Sequence, residues 1–289
     1  MTDKKLFCLG YGYVAAALAR RLRAAGWRIA GTTTSDEKAQ SMEKDGVKAH
    51  LWQGDAFDPA WLDGADAILI STPPGKKGCP AFHAASDAIT ERHEGVKWIG
   101  YLSTNGVYGD HGGDWVDETN NLAPTSDRAR LRIAAEADWA GLGVAWSLPL
   151  FIFRLPGIYG PGRSALDTVR AGKAQRIVKQ GQVFNRMHVD DIAAALAASM
   201  ENPRVHDLYN LADDDPSPPQ DVIDYACNLL NVAPPPLTPL DKADISDMAK
   251  SFYRDNKRVS NTRMKEALGV TLQYPTYREG LDALFNAPE

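Results

Sequence analysis

The run Lys5-Leu6-Phe7-Cys8-Leu9-Gly10-Tyr11-Gly12-Tyr13-Val14-Ala15 decides how this chain folds. Lys5 to Leu9 is short, apolar and stopped by glycine, the signature of a buried strand. Gly12 to Ala25 follows, rich in Ala, Leu and Arg, and reads as a helix ended by Gly26. The turn between them spells G-x-G-x-x-A. Gly10 permits the tight bend, Gly12 lets another group approach the backbone, and Ala15 lets helix and strand pack closely. N–H groups at the helix start, together with its dipole, favour an anion there. A tight turn that binds nothing carries the same letters, so the surroundings must decide.

Outward from this turn, strands and helices alternate. Trp27 to Thr34 reads as a second strand, and Ser35 to Lys44 as a helix capped by Ser35 or Asp36. Val47 to Trp52 and Ala67 to Ser71 read as strands, Pro80 to His93 as a helix and Lys97 to Ser103 as a fifth strand. Asp127 to Gly141 reads as a further helix. Such alternation predicts an α/β fold, a Rossmann-type doubly wound parallel sheet of roughly six or more strands. The second half differs. Val144 to Leu155 is apolar and strand-like, and prolines cluster at 216–219 and 234–239. Asp221 to Asn231 and Asn261 to Leu268 look helical. The expected division is a dinucleotide-binding domain over residues 1–150 and a smaller, mainly substrate-binding lobe over 151–289, with the chain crossing back to the first.

The strand–turn–helix–strand context turns the glycine pattern into a dinucleotide fingerprint. The second strand should end at the residue that reads the adenosine ribose, where a carboxylate selects NAD. That place is Thr33, inside Thr32-Thr33-Thr34-Ser35, with Lys38 one turn later. Hydroxyls and a lysine suit a 2′-phosphate, so the cofactor expected is NADP, with NAD possible because Asp36 lies close by. Asp55, after the third strand, is placed for the adenine edge or is a plain turn aspartate.

Composition narrows the classes. The 289 residues carry a formal net charge of −5, with 44% hydrophobic and 24% charged residues, as in ordinary globular proteins. The only dense basic stretches, Arg20, Arg21, Arg23 and Arg128, Arg130, Arg132, look helical, which argues against a nucleic-acid partner. Cys8, Cys79 and Cys227 are too scattered for a metal site or a disulfide framework. No signal-peptide pattern opens the sequence, and the apolar run from Trp146 to Phe153 is too short for a bilayer. A cytoplasmic protein without membrane contact is expected.

Leu102-Ser103-Thr104-Asn105-Gly106-Val107-Tyr108-Gly109, together with the glycine turn, resembles the short-chain dehydrogenase/reductase superfamily. The similarity is to its extended and atypical branch, the NAD-dependent epimerase/dehydratases. Three further motifs agree in order and spacing: Arg154-Leu155-Pro156-Gly157-Ile158-Tyr159-Gly160-Pro161-Gly162, Arg186-Met187-His188-Val189-Asp190-Asp191, and Tyr209-Asn210-Leu211-Ala212. The resemblance implies a cofactor in the first lobe and a nucleotide-sugar or small carbonyl substrate in the second. Cofactor contacts are then expected from Gly10, Tyr11, Gly12, Tyr13, Val14, Thr33, Thr34, Ser35, Asp55, Ser103, Arg132 and Pro156.

The family's chemistry uses a Ser or Thr and a Tyr-x-x-x-Lys pair on one helix. The hydroxyl position falls on Thr104. The pair falls on Arg128 and Arg132, and no tyrosine occurs between Val116 and Ala145. Arg132 can still hold ribose hydroxyls, but Arg128, with a pKa above about 12, is no proton donor. Tyr108 or Tyr159 could serve as a displaced acid; both also read as phenols that simply pack. The Arg128/Arg132 face suits a carboxylate or phosphate of a substrate. Otherwise it is a solvated face with an Arg132–Glu136 pair, worth under about 1 kcal/mol. By resemblance Arg186 and His188 floor the substrate cleft, with His188 otherwise a packed histidine and Asp191 a helix cap. Two functions remain open: an oxidoreductase or epimerase/dehydratase working through Thr104, Tyr108 and Arg132, or a non-catalytic NADP(H) sensor or partner-regulating module. Family dimers pack two helices, here near Pro80–His93 and Asp127–Gly141, and the charged second helix leaves monomer or homodimer open.

Overall fold

The computed structural model describes residues 4–54, 56–201 and 207–287; Asp55 lies outside them. The strands are β1 (Lys5–Leu9), β2 (Arg28–Thr33), β3 (Lys48–Leu51), β4 (Ala67–Ile70), β5 (Trp98–Thr104), β6 (Trp115–Val116), β7 (Leu150–Leu155), β8 (Gly157–Tyr159), β9 (Arg176–Val178), β10 (Arg186–His188), β11 (Asp207–Asn210), β12 (Leu237–Pro239) and β13 (Arg258–Val259). The α-helices are α1 (Tyr13–Ala24), α2 (Asp36–Lys44), α3 (Pro80–Thr90), α4 (Asp127–Trp146), α5 (Ala165–Arg170), α6 (Val189–Glu201), α7 (Pro219–Leu229), α8 (Asp247–Phe252), α9 (Thr262–Leu268) and α10 (Tyr277–Asn286).

Residue contacts divide the chain into two compact units. One comprises Met1–Thr104, Arg130–Arg154 and Ala193–Tyr209; the other comprises Asn105–Ala129, Leu155–Ile192 and Asn210–Glu289. The chain thus passes from one to the other five times.

The first unit is built on a seven-stranded Rossmann-type sheet in the order β11-β7-β5-β4-β1-β2-β3. β1 runs parallel to both β2 and β4, β2 to β3, and β4 to β5. The near-continuous apolar letters of β1, β4 and β7 follow from burial on both faces. Phe7, Leu9, Ile68, Ile70, Ile99, Tyr101 and Ile152, alternate residues of their strands, share a core with Ala81, Ala85 and Ile89 of α3 and Ala135 and Trp139 of α4. Elsewhere in the unit, Trp98, Phe151, Phe153 and Tyr209 stack with ring centroids 6.1–6.4 Å apart. Gly100 is required there: a Cβ would lie 2.2 Å from the Trp98 indole. The indole N–H donates to Ser199 Oγ at 2.9 Å.

Two boundaries depart from the sequence reading: α3 ends at Thr90 and not at His93, and the larger departure is at α4. α4 does not stop at Gly141 but continues to Trp146, and strand begins only at Leu150. The apolar letters of Val144 and Trp146 suggest a buried strand, yet these side chains are 68% and 47% exposed on the last helical turn. The helix closes when Ser147 turns left-handed (φ 50°) and Leu148 N–H bonds the Gly143 carbonyl at 3.0 Å.

The second unit is smaller-scaled in its parts. Three two-stranded pairs, β10-β8, β12-β9 and β13-β6, accompany its helices. Leu166 of α5, Val222 and Ala226 of α7, and Tyr277 and Leu281 of α10 form one core cluster.

Candidate functional site

Within the first unit, the turn after β1 sits where the strand order reverses, between β1 and β4. Ligands of open α/β sheets bind at such switch points, beyond the carboxyl ends of the strands. Gly10 takes φ +89°, and a Cβ there would be 3.0 Å from Ser71 Oγ and 3.1 Å from Thr72 Cγ2. Its N–H donates to Thr32 Oγ1 at 2.8 Å, Tyr11 N–H to the Thr32 carbonyl at 2.7 Å, and Ser71 Oγ to the Gly10 carbonyl. The turn is therefore locked on both sides. Gly12 is different. It is exposed, caps α1 with no side-chain hydrogen bond, and a Cβ would meet nothing within 4 Å. The space beside Gly12 at the start of the helix is open, an arrangement that suits the approach of a pyrophosphate. Tyr13 is half-buried, and Val14 and Ala15 are buried, so Val14 reaches a ligand only through its backbone.

At the end of β2, Thr33 and Thr34 carry hydroxyls at half-buried and exposed positions. Thr33 Oγ1 accepts from Ser35 N–H at 3.3 Å. Ser35 Oγ accepts Lys38 N–H at 3.2 Å and so caps α2. The Lys38 ammonium lies 5.7 Å from the centre of the Tyr11 ring, a cation–π distance that draws it toward the glycine turn. No carboxylate stands at the strand end, though Asp36 and Glu37 follow in the first turn of α2.

β5 ends at the same edge of the sheet. Thr104 is half-buried there. Ser103, expected against the cofactor, is 4% exposed and donates its hydroxyl to Glu136 Oε1 at 2.5 Å. Glu136 in turn meets Arg154 at 2.7 Å, both nearly buried. Glu136 therefore does not pair with Arg132, contrary to the solvated-face reading of α4: its carboxylate is turned into the core. Arg132 instead donates to the Leu102 carbonyl at 2.6 Å and to Tyr101 Oη at 3.2 Å, which brings its guanidinium to the carboxyl end of β5.

In the second unit the two candidate phenols are committed elsewhere. Tyr108 is fully buried and donates to Asn210 Oδ1 at 2.8 Å. Tyr159 is 8% exposed, donates to the Thr276 carbonyl at 3.3 Å, and sits where Gly280 leaves room, since a Cβ there would be 2.1 Å from its oxygen. Burial first, then the carboxylates of Asp213, Asp191 and Glu279, push the Tyr159 pKa well above that of a free phenol. A displaced general acid needs the opposite.

A cavity of about 580 Å³ opens in this unit, lined by the apolar Tyr159, Val222, Tyr277 and Leu281 and by the cations Arg163, Lys173 and Arg186. Asp167 also lines it, but its carboxylate is held by Ser164 in a capping box at the start of α5. Arg186 is anchored from behind through the Phe184 carbonyl (2.9 Å) and Ser217 Oγ (2.9 Å). His188, expected on the cleft floor, does not line the cavity. It is 1% exposed, packed between Tyr274 (ring centroids 4.1 Å) and Tyr159 (5.2 Å), with Nδ1 accepting from Asp190 N–H at 3.2 Å. Burial holds its pKa below the usual imidazole value, against the pull of Asp190. Asp191, expected as a cap, lies inside the first turn of α6, and its two oxygens accept Gln273 N–H at 2.8 Å and Tyr274 N–H at 2.9 Å. Arg128 is exposed, with its guanidinium 5.2 Å from the Phe252 ring centre. Pro156 is half-buried between β7 and β8.

Three features escaped the sequence reading. Thr72 stands beside Gly10 with a buried Oγ1 that has no hydrogen-bond partner among the described residues; the turn-rich run Ser71-Thr72-Pro73-Pro74-Gly75 was its only signal. Arg163 and Lys173 face the cavity from loops around a short helix. Asp213 is 2% exposed, and burial pushes its pKa up to about 8, with Arg186 pulling the other way. Among the described residues no cluster of His, Cys, Asp and Glu could hold a metal ion, and no helix is long and apolar enough to cross a membrane.

The chain is similar to proteins of known sequence and structure over almost its whole length. A structure from Silicibacter pomeroyi, described as a functionally unknown conserved protein, is 48% identical, with a TM-score of 0.92 over 98% of both chains. The Escherichia coli K12 protein YeeZ is 27% identical over 285 residues, 94% of this chain and 97% of YeeZ. UDP-glucuronic acid 4-epimerase from Bacillus cereus, in complex with UDP-glucuronic acid and NAD, shares the fold with a TM-score of 0.77 over 98% of both chains at 16% identity. The pattern of the NAD dependent epimerase/dehydratase family matches residues 84–212, from inside α3 to just beyond β11. With the glycine turn, the β5 motif and the seven-stranded sheet order, these likenesses agree: residues 84–212 carry the pattern of the NAD dependent epimerase/dehydratase family, on a fold that the whole chain shares with the epimerase.

Proposed function

We propose that the protein binds a nicotinamide dinucleotide at the Gly10–Val14 turn and acts as an oxidoreductase or epimerase/dehydratase on an anionic small molecule, a nucleotide-sugar or a carbonyl compound. The observation that carries this reading is Gly12: an uncapped helix N-terminus with open space where a Cβ would stand, beside a Gly10 locked by Thr32 and Ser71. Such a turn lets phosphates reach backbone N–H groups. Solved proteins of the same fold hold NAD. In this chain Thr33, Thr34 and Lys38, without a carboxylate at the strand end, favour NADP, with the Ser35 hydroxyl committed to capping α2.

Bound nicotinamide supplies or accepts the hydride. The chain's own residues do the rest. Thr104 offers a hydroxyl at the end of β5 to polarise a substrate oxygen. Arg132, fixed by the Leu102 carbonyl, takes the place of the family's lysine and holds ribose hydroxyls. Arg163, Lys173 and Arg186 draw the substrate's phosphate or other anionic part into the apolar cavity. No phenol stands on α4, and burial raises the pKa of Tyr159, so Thr104 orients the substrate oxygen while the proton is exchanged with solvent.

Calorimetry of the protein with NADPH and NADH tests the binding half. Heat with neither overturns the proposal, and tighter NADH overturns the NADP preference. A screen of nucleotide-sugars and small carbonyls with NADPH, followed by Thr104→Ala and Arg132→Ala, tests the catalytic half. A second reading, a non-catalytic NADP(H)-binding module, draws support from the arginine at the acid's position; tight NADPH binding without turnover on any substrate would favour it.

A further inference from the structure

Arg128 occupies the helix position of the missing acid, and its surroundings point to a chemistry of their own. Its guanidinium lies against the Phe252 ring at 5.2 Å. It makes no hydrogen bond or ion pair with any described residue, although it is exposed. The ring restrains the cation at cation–π range, and its planar fork of N–H donors is the kind that meets a carboxylate with two parallel bonds. The two partners are held in place from behind. Thr125 Oγ1 donates to Asp255 Oδ1 at 2.6 Å, three residues before Arg128 on one side and three after Phe252 on the other. The Asp255 carbonyl accepts Gln182 Nε2 at 2.9 Å, and buried Lys257 donates to the Gly109 carbonyl at 2.7 Å. Beside this pair, Phe252 and Met248, one helical turn apart on α8, are 55% and 61% exposed and form a bare apolar surface.

A pre-set arginine fork with unused donors next to bare apolar surface fits one kind of ligand. The three cations that line the cavity are the ones proposed above to hold a phosphate, so a second oxyanion receptor implies a second anionic group. We propose that Arg128, beside Phe252, is a carboxylate clamp and that the substrate is a carboxylic acid, such as a uronic or keto acid, whose body lies on Phe252 and Met248. This rests on reading the second unit as the substrate-binding one.

The test is chemical footprinting of the intact protein with phenylglyoxal, read at each arginine by peptide mass spectrometry. UDP-glucuronate and pyruvate are the carboxylate probes, and UDP-glucose and inorganic phosphate the controls. At least one carboxylate should slow modification of Arg128 by about threefold or more while leaving Arg130, on the same helix, unchanged. UDP-glucose should not protect Arg128, and Phe252→Ala should abolish the protection by removing the ring that restrains the guanidinium. Protection by neither carboxylate, or equal protection by phosphate, overturns the clamp. NADPH binding is measured separately on the same preparation. Loss of that binding with carboxylate protection intact would overturn the proposed enzyme and leave the clamp standing; the converse result would do the reverse.

Discussion

Glu136 follows Arg132 by one helical turn, yet its carboxylate turns away from that arginine and meets Arg154 at 2.7 Å inside the first unit. Ser103 donates to the same carboxylate. The buried trio ties the end of β5 to α4 and β7. Two desolvated charges gain little net stability together, but either one alone is a buried, uncompensated charge. Glu136→Ala should therefore lower stability by about 3–5 kcal/mol, while the double variant Glu136→Leu/Arg154→Met should fall within about 1–2 kcal/mol of the parent. Urea unfolding checks both. A mild loss in the single variant would show that the pair is solvated and not buried.

Gly12 and Gly10 separate binding from folding. Gly12 has an ordinary φ of −95°, no neighbour near its missing Cβ, and no side-chain cap on its helix. Gly12→Ser should supply that cap and leave stability unchanged or raised by a few tenths of a kcal/mol. The same side chain stands where a pyrophosphate would approach, so NADPH affinity should fall by about tenfold or more. Gly10→Ala should instead cost about 1–2 kcal/mol of stability, because its φ of +89° is left-handed and Ser71 and Thr72 crowd the site. Calorimetry and urea midpoints on both variants read this out. If Gly12→Ser binds NADPH like the parent, the cofactor does not approach this turn.

Ser147 offers a stabilising change far from either site. Five helix ends share one closing hydrogen bond, running from Trp27, Val47, Leu148, Lys173 and Val232 N–H back to the carbonyls of Leu22, Met42, Gly143, Thr168 and Cys227. The left-handed residue is Gly26, Gly46, Ser147, Gly172 and Asn231 respectively. Glycine and asparagine tolerate that conformation; serine bears a Cβ penalty without asparagine's local hydrogen bonding. Ser147→Gly should raise stability by about 0.5–1 kcal/mol in urea unfolding. A loss would mean that the serine hydroxyl contributes an interaction stronger than this backbone relief.

What could be read from letters alone was the periodic and the local. The glycine turn, the apolar strands around it and the caps at Ser35 and Gly26 are short-range patterns, and they delivered the sheet. Burial was harder. Val144 and Trp146 look like core and lie on the surface, because an apolar letter does not say which side of a helix it occupies. The partners of polar residues were out of reach: Tyr108 meets Asn210 across 102 residues and Ser103 meets Glu136 across 33. Both pairings remove candidate groups from solvent. The arginines of α4 were visible, but their fates diverge, one to the end of β5 and the other onto Phe252, and only three-dimensional packing distinguishes them.

Asp213 gives the protein a specific dependence on pH. Its carboxyl is 2% exposed; Oδ1 accepts Asp215 N–H at 3.3 Å, while Oδ2 is buried with no hydrogen-bond partner. Burial is the main cause that lifts its pKa to about 8; the carboxylates of Asp215 and Asp214 add to the rise, and Arg186 and the Asp215 N–H oppose it. An unfolded aspartate titrates near about 4. Between those two values the folded protein holds a proton that the unfolded chain has released, so stability must fall as pH rises through this window and level off above about 8. Asp213→Asn cannot ionise and should remove that slope. Relative to the variant, the parent should lose on the order of 1 kcal/mol or more between about pH 5 and 8 in urea unfolding. Arg186 lines the cavity, so an ionised Asp213 also competes for the cation that would hold a substrate anion. Anion affinity in the parent should weaken above about pH 8 and stay level in Asp213→Asn. Parallel pH profiles for parent and variant, in both stability and anion binding, would show that Asp213 is ionised throughout and already compensated by Arg186.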